Sequence, residues 1–170
     1  MRTALTAAES LTNLQEAANR LVNGVQIGYE RAKRLLLLQW VTGARIYDVL
    51  ECEHWQETET GIYYQASKNH REIYLSDENH PQGNIKTILG NAKEVANELK
   101  YEDVARYTKK YKYLKLQVGT KTELRTHLFR YLFVREQLEK GKDETQISQL
   151  IGDTIIHTST YAHATIYKIT

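Results

Sequence analysis

Between Trp55 and Leu75 the apolar residues recur at every second position, and on both sides of that stretch they recur at helical spacing. Trp55 to Thr58, Ile62 to Ala66 and Glu72 to Leu75 read as three short strands, with Glu59-Thr60-Gly61 and Ser67-Lys68-Asn69-His70 as the turns. They predict a small antiparallel meander set between helices. Ahead of it, Leu11, Leu14, Ala18, Leu21 and Val22 predict a helix over 6–23, stopped by Asn23-Gly24. Residues 28–41 read as a strongly apolar, buried helix ended by Gly43, and a short helix follows from about Arg45 to Cys52. Past Pro81, helices are predicted over Asn84 to Leu99, Tyr101 to Leu114, Thr122 to Glu139, Glu144 to Ile151 and Thr154 to Tyr167. Gly119-Thr120 and Gly141-Lys142-Asp143 are the breaks. The expected class is α+β, mostly helical with a small three-stranded antiparallel sheet. A single proline and the lack of any Pro/Gly/Ser linker make residues 1–170 one domain, long enough to bury roughly two-thirds of its unfolded surface.

Composition narrows the function. The run Leu35 to Leu38 is far too short to span a bilayer, and no apolar signal core follows the start, so a cytoplasmic (nucleoid-associated) protein without membrane contact is expected. One cysteine, Cys52, excludes an internal disulfide and a cysteine-based zinc site, and its apolar helical setting reads as a buried structural thiol. Neither a metal site nor a cofactor is expected. The net charge of +2 does not announce a nucleic-acid binder, so the distribution of charge matters more. Cations cluster at Arg31 to Arg34 and at Arg106 to Lys115, whereas acids gather at Glu51 to Glu59 and Glu136 to Glu144. In the second cationic cluster Lys109, Lys110 and Lys112 alternate with tyrosines. Such a mixture can hold a phosphate backbone, and it reads equally as a solvated helix face with tyrosines packed inward.

Five residues in a fixed order, with Asp48 in support, carry the chemistry. Arg45 follows Thr42-Gly43-Ala44 at a helix start, where a guanidinium and a helix N-terminus both favour an anion. Asp48, three residues on, shares its helical face and is placed to hold the guanidinium. Lys68 sits on the tight turn after a strand, free to lean over a ligand. His127 and Arg130 are one helical turn apart, pairing a proton carrier with a phosphate clamp. Tyr161 comes late, in Ile156-His157-Thr158-Ser159-Thr160-Tyr161-Ala162-His163. Alone, Arg45 with Asp48 is an ordinary surface salt bridge, Lys68 an exposed turn lysine and Tyr161 one of twelve tyrosines. Together they meet the needs of phosphodiester cleavage by a tyrosine hydroxyl. The phosphate must be neutralised, the leaving oxygen protonated and the nucleophile oriented. The planar fork of arginine grips two non-bridging oxygens at once.

Read in order, these segments resemble the catalytic domain of tyrosine recombinases, the lambda-type integrases and Xer-type recombinases. Thr42 to Leu50 resembles the family's first box, Thr-Gly-x-Arg-Ile-x-Glu/Asp-Leu. Trp55 sits where the family opens its first strand, and Lys68 matches the β-turn lysine. Leu124-Arg125-Thr126-His127-Leu128-Phe129-Arg130 resembles the second box, Leu150-Ile151-Gly152-Asp153 the Leu-Leu-Gly-His segment, and Tyr161-Ala162-His163 the context of the nucleophile. Leu5-Thr6-Ala7-Ala8-Glu9 resembles the Leu-Thr-x-x-Glu that opens the domain, so the likeness spans about residues 5–163.

The resemblance implies the tyrosine recombinase catalytic fold and a set of roles. Arg45 and Arg130 bind the scissile phosphate of double-stranded DNA, Lys68 protonates the leaving 5′-oxygen, and His127 contacts the phosphate and helps with proton transfer. Tyr161 attacks to give a 3′-phosphotyrosyl intermediate without ATP or metal. It implies a homo-oligomer, a tetramer, on DNA and allows a monomer when free. With residues 5–163 taken up by the likeness, the family's N-terminal core-binding domain is expected to be absent from this chain. Asp153 replaces the family's histidine or tryptophan. A carboxylate is repelled by phosphate, so Asp153 is expected to turn away and cap the last helix. His157, on one face with Tyr161, is expected to replace the missing donor. Tyr167 is a second candidate nucleophile, the segment from Gly152 to Tyr161 being one residue short. The alternatives are a catalytically weakened DNA-binding relative and a type IB topoisomerase-like strand transferase; Leu150-Ile151-Gly152 and the size of the chain favour a recombinase.

Overall fold

The computed structural model describes residues 1–23, 29–109, 114–119 and 122–170. Strand β1 (Arg2–Ala4) leads into α1 (Ala7–Asn23), α2 (Glu30–Thr42) and the short α3 (Ile46–Leu50). Strands β2 (Gln56–Glu57), β3 (Gly61–Gln65) and β4 (Glu72–Ser76) follow, then a small hairpin of β5 (Asn79–His80) and β6 (Gly83–Asn84). The remainder is α4 (Ile85–Lys93), α5 (Tyr101–Lys109), β7 (Leu116–Val118), β8 (Thr122–Glu123), α6 (Leu128–Glu139), α7 (Glu144–Ile151), α8 (Ile155–His163) and β9 (Ile166–Ile169). The α+β class expected from the apolar periods is the class observed.

Helix α2 is the centre of the fold because from Leu35 onward it is apolar almost all round. Leu35, Leu36, Leu38, Trp40 and Val41 are buried, and the helix packs against α1, α4 and α6. Leu14 and Leu21 of α1 and Leu128, Phe129 and Leu132 of α6 complete this core without solvent exposure. Each such side chain contributes roughly 1.5–3 kcal/mol through burial. The small hairpin is pinned to the same core: the Trp40 indole donates to Glu136 at 2.7 Å, and His80 lies 3.5 Å from the other Glu136 oxygen.

The meander is antiparallel, in the order β2-β3-β4, with Ile62 opposite Leu75 and Tyr64 opposite Ile73. Those four face the core, while Tyr63 and Tyr74 pair on the outer face. Trp55 stacks on Tyr64 with centroids 3.9 Å apart. Cys52 is fully buried, and burial pushes its thiol up to about 11.

Three helix readings need correction. Thr122 and Glu123 do not open a helix; they pair with Val118 and Gln117 as β8, and α6 begins only at Leu128. The last helix stops at His163, where Ala164 turns extended (φ −58°, ψ 138°), and residues 166–169 pair with both β1 and β7. The alternating, β-branched Ile166-Tyr167-Lys168-Ile169 suits that pairing better than a helix. The helix expected over 84–99 ends at Lys93, with a separate single turn at Ala96–Glu98. The result is a second sheet, β1-β9-β7-β8, that joins distant parts of the chain. Among the described residues no helix is long and apolar enough to cross a membrane, and no cluster of three or more His, Cys, Asp or Glu could hold a metal ion.

Candidate active site

Each residue of the Thr-Gly-Ala-Arg segment has a separate task. The buried Thr42 hydroxyl donates to the Leu38 carbonyl at 2.7 Å and accepts the Ala44 N–H, closing α2. Gly43 takes the left-handed conformation (φ 69°), which costs glycine nothing and lets the chain reverse. Its carbonyl then accepts Arg130 Nη1 at 2.8 Å. Arg45 follows in extended conformation and starts α3.

Arg130 is wholly buried in α6, with 0% of its side chain exposed. Besides Gly43, it donates through Nη2 to the Ile151 carbonyl at 3.0 Å and to Asp153 Oδ2 at 3.1 Å. Its Nε–H has no hydrogen-bond partner among the described residues. Arg45, from the other side, donates Nη2 to the same Asp153 oxygen at 2.9 Å. Two guanidiniums brought from segments 85 residues apart by sequence number thus converge on one anionic oxygen.

Asp153 is 5% exposed and sits between them. Its expected turn away from the arginines is overturned. That expectation weighed repulsion by a phosphate and left out attraction by two buried cations, which is larger at this distance. Nor is Asp153 the cap of α8: Thr154 is, its hydroxyl accepting the His157 N–H at 3.1 Å. Asp153 Oδ1 takes the Thr154 N–H at 2.8 Å and faces His157 Nδ1 at 2.8 Å. Withdrawal from water pushes the carboxyl up, and the hydrogen bonds from Thr154, His157 and Arg130 outweigh it, so the group sits below its ordinary value of 3.8. His157 and Tyr161 lie one turn apart along α8, as the sequence spacing predicts, and Asp153 stands just ahead of its cap. His157 binds the carboxylate and is otherwise largely exposed.

Tyr161 is the tyrosine at the site. Its hydroxyl lies 3.0 Å from His127 Nε2, its ring meets Tyr131 edge-on at 4.9 Å, and the Arg130 guanidinium lies 5.2 Å from its centroid. The His127 pKa is driven down from 6.5 to about 4, first by partial withdrawal of its ring from water, then by Arg130 and Arg45, with Asp153 pulling upward and Lys68 adding the least. A neutral ring with its proton on Nδ1 can accept the Tyr161 O–H at Nε2. Tyr167 lies elsewhere: it is on β9, and its ring receives the Arg2 guanidinium at 3.8 Å.

Lys68 is exposed on the β3–β4 turn and makes no hydrogen bond or ion pair among the described residues. The turn itself is fastened to the site by residues that carried no sequence signal. Asn69 Nδ2 donates to the Gly152 carbonyl at 2.7 Å, and Arg71 Nη1 to the Asp153 carbonyl at 2.6 Å. Asp48 also belongs to this turn. It does not pair with Arg45; its buried carboxylate accepts the Ser67 N–H at 2.9 Å. The first-turn position points it inward toward the turn, whereas Arg45 extends toward Asp153. Arg135 is a further unforeseen contributor: it donates to the Tyr161 and Ala164 carbonyls at 3.2 and 2.5 Å, tying down the end of α8. Lys109 closes α5; Lys110 and Lys112, the other expected DNA contacts, lie outside the described residues. Comparison of the chain with protein-family models, with curated proteins and with solved structures gave no match.

Proposed function

We propose that this chain is a site-specific recombinase or integrase that cleaves and rejoins double-stranded DNA through a tyrosyl intermediate. The observation that carries the reading is the meeting of Arg45 and Arg130 on one anionic oxygen beside the His127–Tyr161 pair. A non-bridging phosphate oxygen asks for the same donors as the carboxylate oxygen they now hold. The Tyr161 oxygen attacks phosphorus and passes its proton to neutral His127. The bond to the 5′-oxygen breaks, that oxygen takes a proton from Lys68, and the DNA strand is left joined to Tyr161 through its 3′-phosphate. Attack by a 5′-hydroxyl reverses these transfers, so the bond energy is conserved and no nucleotide cofactor is consumed. Assembly as a tetramer on DNA belongs to the same proposal.

Covalent trapping tests it. The chain is incubated with a pool of duplexes of randomised sequence carrying 5′-bridging phosphorothiolates, then run on a denaturing gel. A slow band that disappears in Tyr161→Phe supports the reading. The placement of Asp153 on both arginines favours one other reading, a relative that binds DNA without cutting it. Salt-sensitive DNA binding without any adduct would establish that reading instead.

A further inference from the structure

Asp153 fills its place between the arginines incompletely. On the Arg130 guanidinium, Nη2 and Nε share one edge, the edge that grips two oxygens of an anion side by side. Asp153 Oδ2 takes Nη2 at 3.1 Å, while the buried Nε–H beside it has no partner among the described residues. The second carboxylate oxygen is turned the other way, toward Thr154 N–H and His157. One oxygen is therefore shared by Arg45 and Arg130, and half of the Arg130 fork is unused. A tetrahedral phosphate has an oxygen for that fork as well as one to share. It cannot bind while a carboxylate stands there, because two anions at hydrogen-bond distance from the same donors repel each other.

We propose that Asp153 is a specificity-determining residue, an internal anion that bars small free anions from the arginine pair and yields only to a phosphate delivered by duplex DNA. The proposal rests on the strand-cleavage reading of the site. A free phosphate brings its own charge and a few hydrogen bonds but no neighbouring contacts, and these must be weighed against an intramolecular carboxylate already held by Arg45, Arg130, His157 and a backbone N–H. A DNA phosphate arrives with the contacts of its neighbours along the backbone, which supply the difference. The chain is built to let the side chain leave. Asp153 follows Gly152, which is left-handed at φ 64°, and precedes the cap of α8. The connector's main chain stays in place through Asn69 and Arg71, which hold the Gly152 and Asp153 carbonyls and not the carboxylate. Side-chain rotation alone can therefore open the seat.

Inorganic phosphate is the probe. The parent chain, Asp153→Asn and Asp153→Ser are melted in chloride and in about 10 mM phosphate at matched ionic strength, and affinities are taken from the shift in Tm. The parent is expected not to respond, and both variants to bind phosphate at least about tenfold more tightly than the parent. Should a variant fail to fold in chloride because its buried arginines have lost their counter-charge, refolding in phosphate supports the proposal and failure to refold in phosphate counts against it. Phosphate binding by the parent as tight as by the variants overturns it, as does the absence of any phosphate effect on both variants. The outcomes separate from those of the cleavage reading. Phosphate binding gained by the variants, with no Tyr161 adduct in the parent, keeps the role of Asp153 and ends the strand-cleavage reading. An adduct in the parent with no phosphate gain in the variants does the reverse.

Discussion

His127 Nε2 and the Tyr161 hydroxyl lie 3.0 Å apart, and the His127 pKa stands at about 4 against an ordinary 6.5. The ring is therefore neutral through the physiological range, with a lone pair that can accept the tyrosine O–H as a hydrogen bond. The linkage to stability follows. As pH falls, the unfolded chain takes up this proton near 6.5 and the folded chain only near 4. The stabilising contribution is whole above 6.5, fades between 6.5 and 4, and is absent below; it is small because the residue still reaches solvent. An NMR titration is expected to place the His127 midpoint well below 6, moving upward in Arg45→Gln. A midpoint at or above 6.5 would show that neither withdrawal from water nor the neighbouring cations act on the ring.

Gly43 couples the first box to the second. A Cβ there would lie 2.5 Å from the Phe133 ring, and its φ of 69° disfavours any L side chain. Its carbonyl also holds Arg130. Gly43→Ala is expected to cost about 2 kcal/mol or more, from backbone strain and the displaced ring together. Urea unfolding gives the loss. A midpoint within error of the parent would show that the left-handed turn is not needed.

The local structure was legible because it is written in local signals. The helix over 144–151 has a capping box, Asp143 with Gln146, and a terminal Gly152, and it lies where the spacing places it. The meander announces itself by its period, and Arg45, His127, Arg130, Asp153, His157 and Tyr161 share one site as their order suggests. The second sheet was not legible, since it depends on residues 2–4 meeting 166–169, and nothing in either short segment names its partner. The same holds for Asp48, whose sequence neighbour Arg45 was the obvious partner and whose actual one, the Ser67 N–H, is a backbone group. Asp153 shows a different limit: the sign of its interaction depended on which charges the fold had already buried beside it.

Gln39 offers a stability test away from the site. It is fully buried in α2, and both ends of its amide lack hydrogen-bond partners among the described residues. A buried amide left unpaired costs about 1–3 kcal/mol. Methionine has a similar volume and shape without that need. Gln39→Met is therefore expected to raise stability by about 1–2 kcal/mol. A lower Tm than the parent would mean that the amide is satisfied in solution.

The last test separates the position of Lys68 from its presence. Asn69, on the same turn, donates 2.7 Å to the Gly152 carbonyl and ties the lysine to the segment that carries Asp153 and, two turns on, Tyr161. If Lys68 protonates the leaving 5′-oxygen, a sulfur at that position leaves without help and makes the lysine dispensable. Lys68→Ala is expected to slow cleavage of an ordinary phosphodiester by roughly a hundredfold or more. Asn69→Ala, which keeps the lysine but frees its turn, should slow it by about tenfold, the worth of one lost hydrogen bond. Both variants should recover on the 5′-phosphorothiolate. Because sulfur changes the leaving group and not the fold or the DNA contacts, recovery is a signature that a merely structural defect cannot produce. Equal losses on the oxygen and sulfur substrates would remove Lys68 from the proton transfer and reduce the turn to a DNA or folding contact.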